Sequence, residues 1–273
     1  MRSTIFPRLY SRATRALIRR WSAHLPVAGS GWPALHAELD LWRGPPARFW
    51  WRDDDAICET PELRHLLAVR DRQAIPLAIA VIPARASANF GSVLSGWPCV
   101  DIFAHGWDHQ NHNRPGRLSA ELAPGRKAGE VRLELTQGRT RLEDMFGEQF
   151  KPVLVPPYNY LSPHLVEPVR EAGFSFVSID RDFAGFSVPS QNVHIDVIDW
   201  RRKQAATPIE IVRSAVAALR LRRYGLVDAD APIGLITHHL VHDASVWAVT
   251  ETLLDRLKEH PAVAFPAMHE VFR

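Results

Sequence analysis

Apolar residues recur along this chain with two different periods. Between Leu9 and Leu25 the residues Tyr10, Ala13, Leu17, Trp21 and Leu25 return at three- and four-residue steps, the spacing of one helix face. Arg12, Arg15 and Arg19 fall largely on other faces. This predicts a basic amphipathic helix, which either packs on the domain or lies peripherally on an anionic membrane surface. Pro26 to Pro33, with Gly29, Ser30 and Gly31, reads as a linker. Residues 1–33 are therefore expected to be a leader and linker, and residues 34–273 one domain.

Short apolar runs follow, alternating with helix-like segments. Strands are predicted at Ala47–Arg52, Ile75–Ile82, Pro98–Ala104, Pro152–Val155, Phe174–Ile179, Val193–Ile198, Pro232–Thr237 and Ala262–Phe265. Helices are predicted at Pro61–Gln73, Pro163–Ala172, Pro208–Leu221 and Ser245–His260. Leu118–Gln149 is long and charged and reads as mostly helical, interrupted at Pro124-Gly125. Seven or eight βα units argue for an α/β fold with a parallel sheet, either a (β/α) barrel or a distorted relative of one. In such folds reactive residues collect where strands end.

Composition changes this picture little. At 273 residues with 46% hydrophobic residues, the chain is long enough for one large soluble domain. Two cysteines, Cys58 and Cys99, make no disulfide framework. No apolar run is long enough for a transmembrane helix, and arginines interrupt any secretory core near the start, so a cytoplasmic protein is expected, at most peripheral at the inner membrane face. Charge is more informative. Residues 1–37 hold six arginines and no acid, so removing them from 33 basic residues leaves 27 against 30 acidic. The basic pI belongs to the leader, and no nucleic-acid partner is expected for the domain.

The polar clusters sit at predicted strand ends. Asp53-Asp54-Asp55 follows Phe49-Trp50-Trp51, so at least one carboxylate is expected near apolar surroundings, where it needs a cation or a donor. His105 and His109 lie four apart after a buried strand. Two imidazoles and a carboxylate are a common catalytic zinc set that leaves a position open for water. His112 is a reserve ligand or a surface residue. His238-His239 ends an apolar strand, and a histidine there serves as general acid if a carboxylate such as Asp199 keeps it protonated. Aromatics gather near these clusters: Trp50, Trp51, Trp107, Tyr158, Tyr160 and Trp200. They read as sugar-stacking surfaces or as core; for Trp50 and Trp51 core is at least as good a reading.

Taken in order, the clusters resemble the five motifs of the polysaccharide deacetylase family, carbohydrate esterase family 4 or the NodB-homology domain, in a divergent form. Asp53-Asp54-Asp55-Ala56 resembles its aspartate pair, and His105-Gly106-Trp107-Asp108-His109 its H-[S/T]-x-x-H. Pro156-Pro157-Tyr158-Asn159 resembles Arg-Pro-Pro-Tyr-Gly, Asp196-Val197-Ile198-Asp199-Trp200 matches D-x-x-D-W, and Leu235-Ile236-Thr237-His238 resembles an apolar run ending in His. The resemblance spans roughly 47–240. It implies a (β/α)7-type distorted barrel, a divalent metal (zinc first, with cobalt, nickel or manganese as alternatives) and hydrolysis of an N-acetyl or related acyl group from an amino sugar of a glycan or glycolipid. Asp54 would be the base, Asp55, His105 and His109 the metal ligands, and His238 with Asp199 the acid. Asp53 as base with Asp54 as ligand is the alternative register.

By the same resemblance, Tyr158, Pro157, Asn159, Trp200, Ile236 and Trp107 would contact substrate, with His239 and Asp196 nearby. Two positions depart from the pattern: Val155 stands where the third motif has an arginine, and Gly106 where the second has a hydroxyl that braces it. Arg52 is a candidate replacement for the arginine. If nothing replaces it, a carbohydrate-binding barrel with impaired turnover is the competing expectation. Deformylation of a lipid-linked amino sugar shares every residue named and is a further alternative.

Overall fold

The computed structural model of the protein describes residues 31–180 and 187–273. The leader helix expected over 9–25 and most of the linker lie outside the described residues. The elements run α1 (Trp32–Asp40), β1 (Ala47–Ala56), α2 (Pro61–Gln73), β2 (Leu77–Val81), α3 (Phe90–Leu94), β3 (Val100–His105), α4 (Ala128–Phe146) and β4 (Phe150–Val155). They continue with α5 (Val166–Glu171), β5 (Phe176–Val177), β6 (Val193–Asp196), β7 (Ile198–Asp199), β8 (Gln204–Ala205), α6 (Pro208–Arg223), β9 (Ile233–Thr237), α7 (Ala244–Lys258), β10 (Val263–Ala264) and α8 (Met268–Val271).

The seven main strands pair in the order β5-β4-β3-β2-β1-β9-β6, all parallel, and β10 adds to the start of β1. The sheet curls until its edges approach. From the end of β5 onward, Val177 and Asp180 bridge Ser190 and Val193 in parallel, so the ring is joined by isolated bridges rather than by a ladder. This is the distorted seven-stranded α/β barrel expected from the sequence. No helix among the described residues is long and apolar enough to cross a membrane.

Helix boundaries follow from local chemistry. Thr60 caps α2 by accepting from Leu63 N, and Pro61 occupies the first turn, where its missing N–H costs nothing. Thr207 and Glu210 form a capping box on α6, and Asp243 caps α7 through Ser245 N and Val246 N. One expected helix is shortened: α4 begins only at Ala128, and residues 118–127 run irregularly over the top of the barrel. Their backbone is tied down instead by His112 N donating to Ala120 O, Ser162 N donating to Leu122 O, and a bridge from Leu122 to Leu161.

Strand alternation divides the interior into two cores. On β1, Phe49 and Trp51 face the helices, within a large cluster that includes Leu66, Ile79 and Leu253. Trp50 faces the barrel interior with Phe103, Val155 and Ile236, and Phe272 from the C-terminal end closes its floor edge-on to Trp50, Phe103 and Phe176. Both tryptophans are core residues, at 1% and 0% exposure.

Candidate metal and acid–base site

The three consecutive aspartates have three different fates, decided by the same alternation. Asp53 follows the parity of Trp51 and turns to the helix side. There it accepts from Thr237 Oγ1 at 2.7 Å and from His239 N at 3.0 Å, and it pairs with the His239 ring. Both side chains of that pair are fully buried. Burial opposes the charge of each, but their mutual attraction outweighs it: the Asp53 pKa is lowered and the His239 pKa raised. Asp53 and His239 thus lock the end of β1 to the end of β9.

Asp54 shares the inward face with Arg52. The guanidinium clasps the carboxylate through Nε to Oδ1 at 2.7 Å and Nη2 to Oδ2 at 2.9 Å. Arg52 Nη1 also reaches across the barrel to the Ser178 carbonyl at 3.1 Å and its hydroxyl at 2.6 Å, and Nη2 lies 3.4 Å from Asn159 Oδ1. An i, i+2 pair on one strand therefore places a guanidinium on the Asp54 carboxylate.

Asp55 breaks the alternation. The β1–β2 register shifts between Asp53 and Ala56, and Asp55 takes a left-handed φ of 71°. This bulge swings its carboxylate to the mouth of β3, the usual use of a bulge beside a site. Asp55 Oδ1 lies 3.0 Å from His105 Nε2 and 3.2 Å from His109 Nε2. His105 Nδ1 donates to the Val155 carbonyl at 3.0 Å, which fixes the ring and leaves Nε2 facing the cluster.

These residues fit a cation. Asp55 Oδ1 is buried with no well-aligned hydrogen bond among the described residues, and one carboxylate oxygen and two imidazole nitrogens lie within 4.8 Å of one another. Donor atoms around a small tetrahedral ion with bonds near 2.0–2.1 Å sit about 3.3 Å apart, close to the spacing found. The electrostatics agree. Burial raises the pKa of Asp55, yet the imidazoles hold it well below the usual carboxylate range. Burial lowers that of His105, yet Asp55 and Asp54 raise it overall. The cluster therefore favours positive charge beside Asp55.

Tyr158 closes one side. Its backbone is left-handed, φ 60°, its ring lies 4.6 Å from that of His109, and its hydroxyl donates to His109 O at 3.0 Å. A cleft of about 600 Å³ opens here, lined by Leu118, Tyr158, Asn159, Asp196, Trp200 and Ile236 among others. Beside it, the Trp200 ring meets His238 edge-on at 4.7 Å, and the buried His238 Nδ1 has no hydrogen-bond partner among the described residues.

Several expected placements are revised. Asp199 does not meet His238: its carboxylate accepts from the amides of Arg201 and Arg202 and pairs with Arg202 Nη1 at 3.0 Å. The tight antiparallel turn of β7 and β8 directs it there. Asp196 lies on the His238 side instead, accepting from Trp200 Nε1 at 2.8 Å and Ile198 N at 2.9 Å. Burial raises the Asp196 pKa, and the charge of His238 pulls it back. Trp107 does not line the cleft: its O accepts from Ala84 N, and its ring lies against α4 at Gly138. Pro157 is buried against Gly106. Tyr158, Asn159, Trp200 and Ile236 do line the cleft.

The sequence pattern does not single out Glu121. It is 1% exposed and accepts from Trp107 N at 2.7 Å and His109 N at 2.6 Å. Burial raises its pKa, and these two N–H bonds offset part of the rise. The expected helix over 118–149 hid it among surface charges; Pro124-Gly125, just beyond it, was the one signal of a loop.

No protein-family model matches the sequence, and no curated protein matches it significantly. Solved structures do. A Mycobacterium smegmatis protein assigned as a polysaccharide deacetylase aligns with a TM-score of 0.60 at 17% identity, over 84% of this chain and 90% of its own. A family 4 carbohydrate esterase from Streptomyces lividans, solved with acetate, aligns with a TM-score of 0.53 at 13% identity, over 81% and 92%. A family 4 acetyl xylan esterase from Clostridium thermocellum, solved with a cobalt ion, aligns with a TM-score of 0.53 at 15% identity, over 82% and 90%. The fold of this chain is that of the polysaccharide deacetylases of carbohydrate esterase family 4, in a divergent form.

Proposed function

We propose that this protein is a divalent-metal-dependent hydrolase that removes an acetyl or related small acyl group from the nitrogen of an amino sugar. The convergence of Asp55, His105 and His109 on one point, with the clasped Asp54 beside them, carries the reading. A cation held there, zinc first by its donor set, would supply Lewis-acid chemistry, polarising an acyl oxygen and acidifying water.

The chain's own residues do the rest. Asp54, oriented by Arg52, accepts the proton of the attacking water. The backbone N–H at Tyr158 stabilises the developing oxyanion, a contribution on the order of 3 kcal/mol for a single donor of this kind. His238 protonates the nitrogen as the C–N bond breaks, since an amide anion is a very poor leaving group. Asp196 with Trp200, rather than Asp199, is the neighbour that supports His238. Trp200 and Ile236 wall the cleft against the acyl methyl and the sugar.

The missing third-motif arginine favours a binding barrel without turnover; the Arg52–Asp54 clasp supports turnover instead. The test is metal analysis of the purified protein together with acetate and formate release from a panel of N-acetylated and N-formylated amino sugars. Metal uptake with acyl release that Asp54→Asn abolishes is expected. A protein that takes up no metal refutes the proposal. Including lipid-linked amino sugars, and anionic vesicles with and without residues 1–25, tests whether the leader brings the site to a membrane.

A further inference from the structure

The loop between the two histidines is folded around a carboxylate. Gly106 and His109 both have left-handed backbone, φ 61° each. With these two reversals, the N–H groups of Trp107 and His109 converge on the two oxygens of Glu121. Glu121 is itself held firmly. Its neighbours Ala120 and Leu122 accept backbone hydrogen bonds from His112 and Ser162, and Leu122 is 1% exposed in the main core.

Gly106 and Glu121 are sterically matched. A Cβ at position 106 would lie 2.4 Å from Glu121 Oε1 and 2.6 Å from Pro157 Cδ. A side chain at 106 and a carboxylate at 121 therefore compete for the same space. The carboxylate comes from a different segment, fourteen and twelve residues beyond the amides it receives.

We propose that Glu121 is a positioning residue of the metal site: by receiving both amides it holds residues 106–109 so that His109 Nε2 meets Asp55. This rests on the metal-hydrolase reading. Without Glu121 the two N–H groups lose their partners, and His109, 20% exposed at its side chain, keeps only the Tyr158 hydroxyl on its carbonyl to hold its backbone. Outer partners of this kind typically change metal affinity by about 10–100-fold.

The test is cobalt titration of wild type, Glu121→Ala and Glu121→Gln, with hydrogen exchange at the amides of residues 107 and 109 in metal-free protein. Glu121→Ala is expected to bind cobalt about 10–100-fold more weakly and to exchange both amides at least tenfold faster, with the β3 amides unchanged. Glu121→Gln, which keeps the size and one acceptor oxygen, should fall between; if the alanine variant does not fold, the glutamine variant carries the comparison. Cobalt affinity within twofold of wild type in both variants overturns the positioning role. So does wild-type exchange at 107 and 109 as fast as in unfolded peptide. A wild type that binds no cobalt overturns the reading of the site itself and the positioning role with it, an outcome distinct from either of these.

Discussion

Replacing Arg52 by methionine tests the reading of the inner face of β1 most directly. Arg52 is fully buried and its partner Asp54 is 2% exposed at the side chain. The variant keeps an unbranched chain but removes both hydrogen bonds to Asp54 and both to Ser178. A buried carboxylate stripped of its partner costs about 3–5 kcal/mol. In a domain of this size, that corresponds to a fall in Tm on the order of 6–20 °C. Asp54→Asn alone leaves Arg52 charged but still bonded to Ser178, so it should cost less. In the double variant no charge is stranded, so it should be more stable than the sum of the single losses, by a coupling of about 1–3 kcal/mol. Urea denaturation of the four proteins, metal-free and at one pH, measures the cycle. An Arg52→Met variant within about 1 kcal/mol of wild type, or strictly additive losses, would refute the claim that this pair is buried and mutually dependent.

The remaining predictions concern the other groups of the site. His105→Ala should abolish stoichiometric metal uptake, whereas Asp54→Asn should keep the metal and lose activity by about 10²–10⁴-fold; if Asp53→Asn behaves that way instead, the register is wrong by one. Gly106→Ala should lower stability by about 1–3 kcal/mol, since it places a Cβ at positive φ and against Glu121 and Pro157; thermal unfolding and cobalt titration check it. Burial depresses the pKa of His242 to about 4. A base with a lowered folded pKa binds its proton first in the unfolded state. Stability is therefore intact above about pH 6.5, falls as pH drops towards 4, and levels below it, a loss of about 3 kcal/mol by pH 4. His242→Gln, which keeps an acceptor for His238 N, should remove that component; an unchanged pH profile in denaturation experiments would count against it.

Much of the architecture was legible from periodicity. β1, α2 and β9 lie within a few residues of the segments that alternation and capping predict, because each carries its own boundary signals, such as Thr60-Pro61 before α2. The candidate ligands were legible as residue types at strand ends. Their assignments were not. Asp53, Asp54 and Asp55 are chemically identical in the sequence, and only the β1 parity and the bulge at Asp55 send them to His239, Arg52 and the two histidines. Asp199, a carboxylate at a strand end, reads as the partner of His238, but the β7–β8 turn gives it to Arg202.

Taken alone, the sequence determines the repeated βα pattern, the polar strand ends and the order of the motifs, all of which depend on neighbours within a few positions. Tertiary structure decides how the two departures from the family pattern are met. Arg52 sets a guanidinium on Asp54, and Glu121 receives the amides of Trp107 and His109. The Arg52–Asp54 pair needs only the parity of β1, but its anchor on Ser178 depends on the curl of the sheet, and the Glu121 contacts depend on the path of the 118–127 loop, neither of which has a local signal.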